Sequence, residues 1–260
     1  MDTEAPIGTG AAWPANHRAA LIVIIHVDAS NLDAAEGTAQ PGLDYAATGL
    51  QRLLRLLADL DLSSTTAWSA SALASYPQLA RIAQDGGHEL AVSQAAGGAV
   101  GQHEALLSRI SDIPPVGVIK ALPLASLSPG ESSTGGVGQL SSISWIVTGA
   151  GGDVPVLMAE DGQQTAIIPV SPYWIDTSWL TPDRPLPPSS LLEAWSLSLA
   201  AVRSEGGLMV VVLHPHISGR PGFSSQIERF LDEAIESGDV WIANAAQVAE
   251  WWRRREIPNR

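Results

Sequence analysis

Two segments constrain the fold of this chain more than any other feature: Ala19–Val27, AALIVIIHV, and Leu208–Leu213, LMVVVL. Both are continuous apolar runs rich in β-branched residues, without the alternation of a half-exposed strand. Strands of this kind are buried on both faces, as in a parallel sheet covered by helices. Helical signals separate the strand-like runs. Residues 45–60 carry Leu50, Leu53, Leu54, Leu57 and Leu60 at helical spacing, which makes an amphipathic helix. Further helices are expected over residues 76–85, 103–110, 189–205, 226–237 and 245–255. Further strands are expected over 63–69, 89–92, 143–147, 164–170 and 239–243. Strands alternating with helices define an α/β fold with a mostly parallel sheet.

The 260-residue length fits one large domain, since a single α/β barrel commonly runs to about 250 residues. We expect an N-terminal arm over residues 1–18 and one barrel domain over 19–255. Residues 126–138 form a Ser/Gly-rich stretch, and 182–188 a proline-rich loop. Hydrophobic residues make up 45% of the chain, enough for a sizeable core. The formal charge is −13, with Lys120 as the single lysine. Such a surface repels phosphate backbones, so neither nucleic acid nor an anionic membrane is an expected partner. The absence of cysteine excludes disulfides, thiolate metal sites and a cysteine nucleophile. Residues 1–14 lack a charged-then-apolar leader pattern, which sets the cytoplasm as the expected compartment.

Several segments, in order, resemble the polysaccharide-deacetylase (NodB-homology) family, in particular its branch acting on cyclic amides and ureides. The strongest are GGLMVVVLHPHISGRP from position 206 and QIERFLDEAIESGDVWIANAAQVAEWW from position 226. WPANHRAALIVIIHVDAS, YAATGLQRLLRLLADLDLSSTTAW and YPQLARIAQDGGHELAVSQAAGG are similar to the family's earlier strand–helix units. The resemblance implies a distorted (β/α)7-8 barrel with its site at the C-terminal strand ends, the usual place in such barrels.

The family's chemistry uses a divalent metal held by an aspartate and two histidines, a second aspartate as base and a late histidine as acid. The resemblance puts Asp28 at the metal-binding aspartate and His214 at the acid. His26 stands where the base would be. Residues two apart on a strand share a face, so His26 and Asp28 both face the barrel mouth. An imidazole there is either a replacement base or a polar filler. The two ligand histidines should follow Gly87-His88-Glu89, but those positions hold Ser93 and Gly97. A hydroxyl is a weak ligand beside imidazole, and glycine offers none. His88 itself is expected to be structural. Lys120 replaces the arginine that steadies the base, and lacks its forked geometry. Trp174, Asp176 and Trp179 match the loop that lines the family's substrate pocket.

The expected function is that of a polysaccharide-deacetylase-like protein without its metal-hydrolase site and without a cofactor. It would act as a non-catalytic or weakly active structural subunit, in a homo-oligomer or beside an active homologue. The alternative is metal-independent hydrolysis of a non-peptide carbon–nitrogen bond in a cyclic amide, imide or ureide. His26 and His214 would then be base and acid, with Asp28 orienting His26. A rearranged metal site built from His26, Asp28, His214 and His216 is a further arrangement to weigh.

Overall fold

The structure, a computed structural model, describes residues 13–28, 45–94, 117–120, 143–149, 152–160, 163–179 and 186–256. The helix expected over 103–110, Gly97, the stretch 126–138 and most of the loop 182–188 lie outside the described residues.

Nine strands form one sheet among the described residues: β1 (Ala19–Val27), β2 (Thr65–Trp68), β3 (Glu89–Gln94), β4 (Gly117–Lys120), β5 (Trp145–Thr148), β6 (Val156–Glu160), β7 (Gln163–Pro169), β8 (Leu208–Leu213) and β9 (Val240–Ala243). They run in the order β6-β7-β5-β4-β3-β2-β1-β8, with β9 also paired to β1. All pairs are parallel except β6–β7. One edge of β1 is shared: Ala19 to Ala243-paired Ile22 face β9, and Ile24 to Val27 face β2. The outer edge of β8 is met by Ile175, which bridges to Val212, and by Asp153, whose carbonyl accepts from Leu208 N–H. The sheet thus curls into the distorted (β/α) barrel expected from the sequence.

The helices are α1 (Tyr45–Asp59), α2 (Ala70–Ser75), α3 (Pro77–Asp85), α4 (Asp176–Trp179), α5 (Pro188–Glu205), α6 (Pro215–Ser218), α7 (Pro221–Glu236) and α8 (Ala245–Glu256). Side-chain alternation on the strands creates two cores. Leu21, Val23, Ile25 and Val27 point outward to Leu50, Leu53, Leu57, Phe230 and Leu231 of α1 and α7. Ala20, Ile22 and Ile24 point inward, against Ala67, Ala91, Ile119, Trp145, Val210 and Val212. That is why β1 and β8 read as unbroken apolar runs: each face meets a different apolar layer.

The lower end of the barrel is closed by Trp13, buried against Trp241 and Trp252, with its indole N–H donated to Gly206 O. Glu89 closes it further. Its carboxylate accepts from Thr65 Oγ1 (2.8 Å), Trp145 Nε1 (2.9 Å) and Ala246 N (3.1 Å) at the start of α8. A negative charge is favoured at a helix N-terminus. Burial pushes the Glu89 carboxyl up while those donors pull it back. His88, beside it, takes Ser64 N–H on Nδ1 at 3.1 Å, a structural contact at this end.

Above, the turn after β8 is locked onto α1. An added Cβ at Gly49 would lie 2.0 Å from Pro215 O, and one at Gly219 2.3 Å from Gly49 Cα. Only two glycines allow that approach. The contact fixes the height of His214 over the barrel.

Candidate functional site at the barrel mouth

The mouth is the upper rim of the inward-facing layers. On β1 the inward positions run Ala20, Ile22, Ile24, and the next is His26. Register places Ile24 beside Val212 and Ile25 beside Leu213, so one step on, His26 and His214 are neighbours. On β3, Ala91 is inward and Ser93, two residues later, shares that face. Three polar side chains, two on β1 and β3 and one just past the end of β8, therefore sit on an apolar floor. All are buried, as is Asp176 of α4.

They form one continuous chain of hydrogen bonds. Ser93 Oγ lies 2.6 Å from His26 Nε2. His26 Nδ1 lies 3.1 Å from His214 Nε2, the rings meeting edge to face. His214 Nδ1 lies 2.5 Å from Asp176 Oδ1. Asp176 Oδ2 also accepts from His214 N–H (2.6 Å) and from Ser218 Oγ (2.5 Å). An ionised carboxylate only accepts, so His214 donates from Nδ1. With both rings neutral, its Nε2 accepts from His26 Nδ1–H, and His26 Nε2 is left as the acceptor for the Ser93 hydroxyl. The carboxylate at one end sets the direction of every bond to the serine at the other.

Burial, followed by the repulsion of His214, lowers His26 from 6.5 to about 3. Asp28 and Asp176 act the other way and lose. His26 is therefore neutral at physiological pH, the state in which these bond directions hold. His216 stands 5.9 Å from His214 between ring centres and is also held below its ordinary range, chiefly by burial.

The residues expected at the site are placed unequally. His26, His214 and Asp176 are brought into direct contact. Asp28 ends the described part of β1's rim, and its charge is felt by both His26 and His216. The carboxylate oriented on the histidine pair is Asp176, through His214. Lys120 ends β4, in register with Gln94. Trp174 and Trp179 are not among the four linked side chains. They pack against the outer, helix-facing core and, with Tyr173, Ala194, Ser198 and Val202, line a cavity of about 430 Å³ along α5. None of the four linked residues lines that cavity. The Trp179 indole is held locally: its Nε1 donates to Tyr173 O at 2.7 Å. Sequence reasoning missed Ser218 and the bonding role of Ser93. The only signal for Ser218 was its i+4 spacing from His214 on the turn.

Both ring nitrogens of His26 and of His214 are engaged by protein groups. Among the described residues, no three His, Asp or Glu side chains are placed to hold a metal ion. No helix of the described residues is long and apolar enough to cross a membrane.

No family model and no curated protein sequence matches the chain. Solved structures do. A putative polysaccharide deacetylase from Mycobacterium smegmatis superposes with a TM-score of 0.78 at 23% identity, covering 97% of both chains. PuuE allantoinase superposes with a TM-score of 0.78 at 16% identity, covering 100% of both. A mutant of BA3943, described as a carbohydrate-esterase family 4 pseudoenzyme with restored enzymatic activity, gives 0.53 at 13% identity, covering 91% of this chain and 69% of that one. The architecture is that of the NodB-type deacetylase barrel.

Proposed function

We propose that this protein is a polysaccharide-deacetylase-fold protein whose barrel mouth does not work through a bound metal. The observation that carries this reading is the Ser93–His26–His214–Asp176 chain. Every nitrogen that could serve as a metal ligand on the two rings already has a protein partner. The position where the resemblance calls for a histidine ligand holds Ser93, bonded to His26. A divalent cation fits this donor set poorly: each imidazole nitrogen is released only by breaking its hydrogen bond to a protein group, and Ser93 offers only weak hydroxyl ligation where a histidine is expected. In this reading the protein is a non-catalytic or weakly active subunit of the cytoplasm. It assembles with itself or with an active homologue, and a small amide or imide is a ligand its mouth could take. The BA3943 pseudoenzyme supports the idea that this barrel persists without its original activity.

The test is elemental analysis of the purified chain, with tagged capture of a deacetylase-fold homologue from the native host. A zinc-free chain that retains such a homologue is the expected result. Zinc at one ion per chain would overturn the reading.

A second reading is favoured by one contact, the 3.1 Å approach of His26 to His214. It is metal-independent hydrolysis of a cyclic amide, imide or ureide, with His26 as base and His214 as the second proton-carrying group. Hydrolysis unaffected by chelator and abolished in His26→Gln is the outcome it requires.

A further inference from the structure

We infer that Ser93 is a nucleophile for small, neutral acyl groups, activated by His26 and steadied by His214 and Asp176. The inference rests on the reading of a metal-free mouth and goes beyond it by naming a reacting atom and a substrate class. Three observations converge on it. The Ser93 hydroxyl faces the lone pair of His26 Nε2 at 2.6 Å, within the distance for direct proton transfer. His26 is held in its donating-from-Nδ1 tautomer by His214 at 3.1 Å. His214 is in turn held by Asp176 at 2.5 Å. A nucleophile bonded to a base that is oriented by a third group is the arrangement nucleophilic catalysis requires. Here two imidazoles stand between the serine and the carboxylate.

The step balances without a cofactor. Ser93 Oγ bonds to the carbonyl carbon of an ester, and its proton passes to His26 Nε2. The imidazolium is stabilised by His214, whose Nε2 accepts the hydrogen bond from His26 Nδ1–H. Collapse breaks the carbon–oxygen bond to the alcohol, which leaves with the proton from His26 Nε2. Water then attacks the acyl-serine, giving its proton to His26, and Ser93 Oγ recovers it as the acid departs. The substrate class follows from the surroundings. Ser93 and His26 are only 4% and 7% exposed, which excludes a bulky acyl group. A chain with a formal charge of −13 disfavours anionic substrates. With no metal to polarise the carbonyl, a good leaving group is needed, so an ester fits better than an unstrained amide.

The full chain, analysed for zinc on the same sample, is mixed with p-nitrophenyl acetate and followed by absorbance and intact mass. We expect one equivalent of nitrophenolate in a burst, one acetyl group per chain, and peptide mapping that places it on Ser93. Ser93→Ala should lose the adduct, and His26→Gln should slow acylation by about 10²-fold, the low end of the range because burial holds His26 well below neutral. Asp176→Asn should slow it while also switching the imidazole tautomers seen by nitrogen NMR, a change that general loosening does not produce. Should Ser93→Ala fail to fold, Ser93→Cys serves instead, since the chain has no other thiol. Its alkylation by iodoacetamide should fall to the rate of a free thiol when His26→Gln is added. A zinc-free, folded chain that forms no adduct on Ser93 overturns this inference alone. Stoichiometric zinc overturns the metal-free reading and this inference with it.

Discussion

Replacing Asp176 by asparagine should reverse the whole hydrogen-bonded chain at modest cost. Asp176 accepts three bonds: His214 Nδ1 on Oδ1, and His214 N and Ser218 Oγ on Oδ2. Asparagine offers one accepting oxygen and one donating NH₂. If the oxygen kept the Oδ1 place, the NH₂ would confront the fixed backbone N–H of His214 at 2.6 Å, two donors face to face. The oxygen therefore takes the Oδ2 place and keeps two partners. The NH₂ then faces His214 Nδ1, which must present its lone pair. His214 now donates from Nε2 to His26 Nδ1, and His26 donates from Nε2 to Ser93. All bonds survive, but those to the former carboxylate fall from the charged class, about 1.5–3 kcal/mol, to the neutral one, about 0.5–1.5 kcal/mol. Three bonds each weakened by about 1 kcal/mol cost about 3 kcal/mol, part of which is returned because no charge is then buried, so the net loss should be about 2 kcal/mol, or about 4–8 °C in Tm for a domain of this size. Asp176→Ala leaves three buried donors without an acceptor and should cost about 4 kcal/mol or more. Thermal unfolding gives the energies, and long-range proton–nitrogen NMR reports which ring nitrogen carries hydrogen. If the asparagine variant keeps the Nδ1–H form of His26, or is as unstable as the alanine variant, the directional argument is wrong.

The pH dependence has a definite sign. His26, His88 and His216 are all held below 6.5 by burial, so below that pH the unfolded chain binds more protons than the folded one. Their contribution is full above pH 6.5 and is lost as pH falls, for His26 across the window down to about 3, with a slope of about 1.4 kcal/mol per pH unit. Urea midpoints at descending pH measure it, and His26→Gln should flatten the slope by one proton. Gly117→Ala would put a methyl 1.8 Å from the ring of buried Trp145 and should cost about 3 kcal/mol, as overpacking does at its upper range; unchanged thermal unfolding would show that the ring has room to move. Glu89→Gln removes the charge at the start of α8 and turns an acceptor into a donor facing Trp145 or Thr65. A loss of about 2 kcal/mol is expected, with hydrogen exchange accelerated first at Ala246.

The fold was legible wherever one residue pattern answered to one environment. Ala19–Val27 and Leu208–Leu213 were readable to their ends because each strand is buried on both faces, so the limits of the apolar run are the limits of burial. The helix expected over 226–237 begins earlier, at Pro221. Proline is tolerated in the first helical turn, where its missing N–H has no partner to lose, and reading it as a turn outside the helix cost five residues. Strand β6 was missed, although Asp161-Gly162 between VLMAE and QQTAI is a hairpin signal. Helix α2 has a serine cap, Ser69 accepting from Ala72 N–H, but its six small residues carry no periodicity to detect.

The site was legible by residue type and not by partner. A histidine ending a buried strand, and another two residues before an aspartate, are visible one at a time. What joins them is register. His26 meets His214 across 188 positions and Ser93 across 67, and both contacts follow from parallel pairings that no local segment encodes. Asp176 shows the limit most clearly. Its loop suggested a residue lining a substrate pocket, beside Trp174 and Trp179. In the structure the Ile175–Val212 bridge pins that loop to the edge of β8. Neighbouring residues then turn to opposite sides. Asp176 goes to His214 at the mouth, and the tryptophans pack on the helical side. The same sequence motif thus supplies both a member of the polar chain and part of the wall of a separate cavity. Any change that loosens that bridge should disturb His214 before it disturbs the barrel.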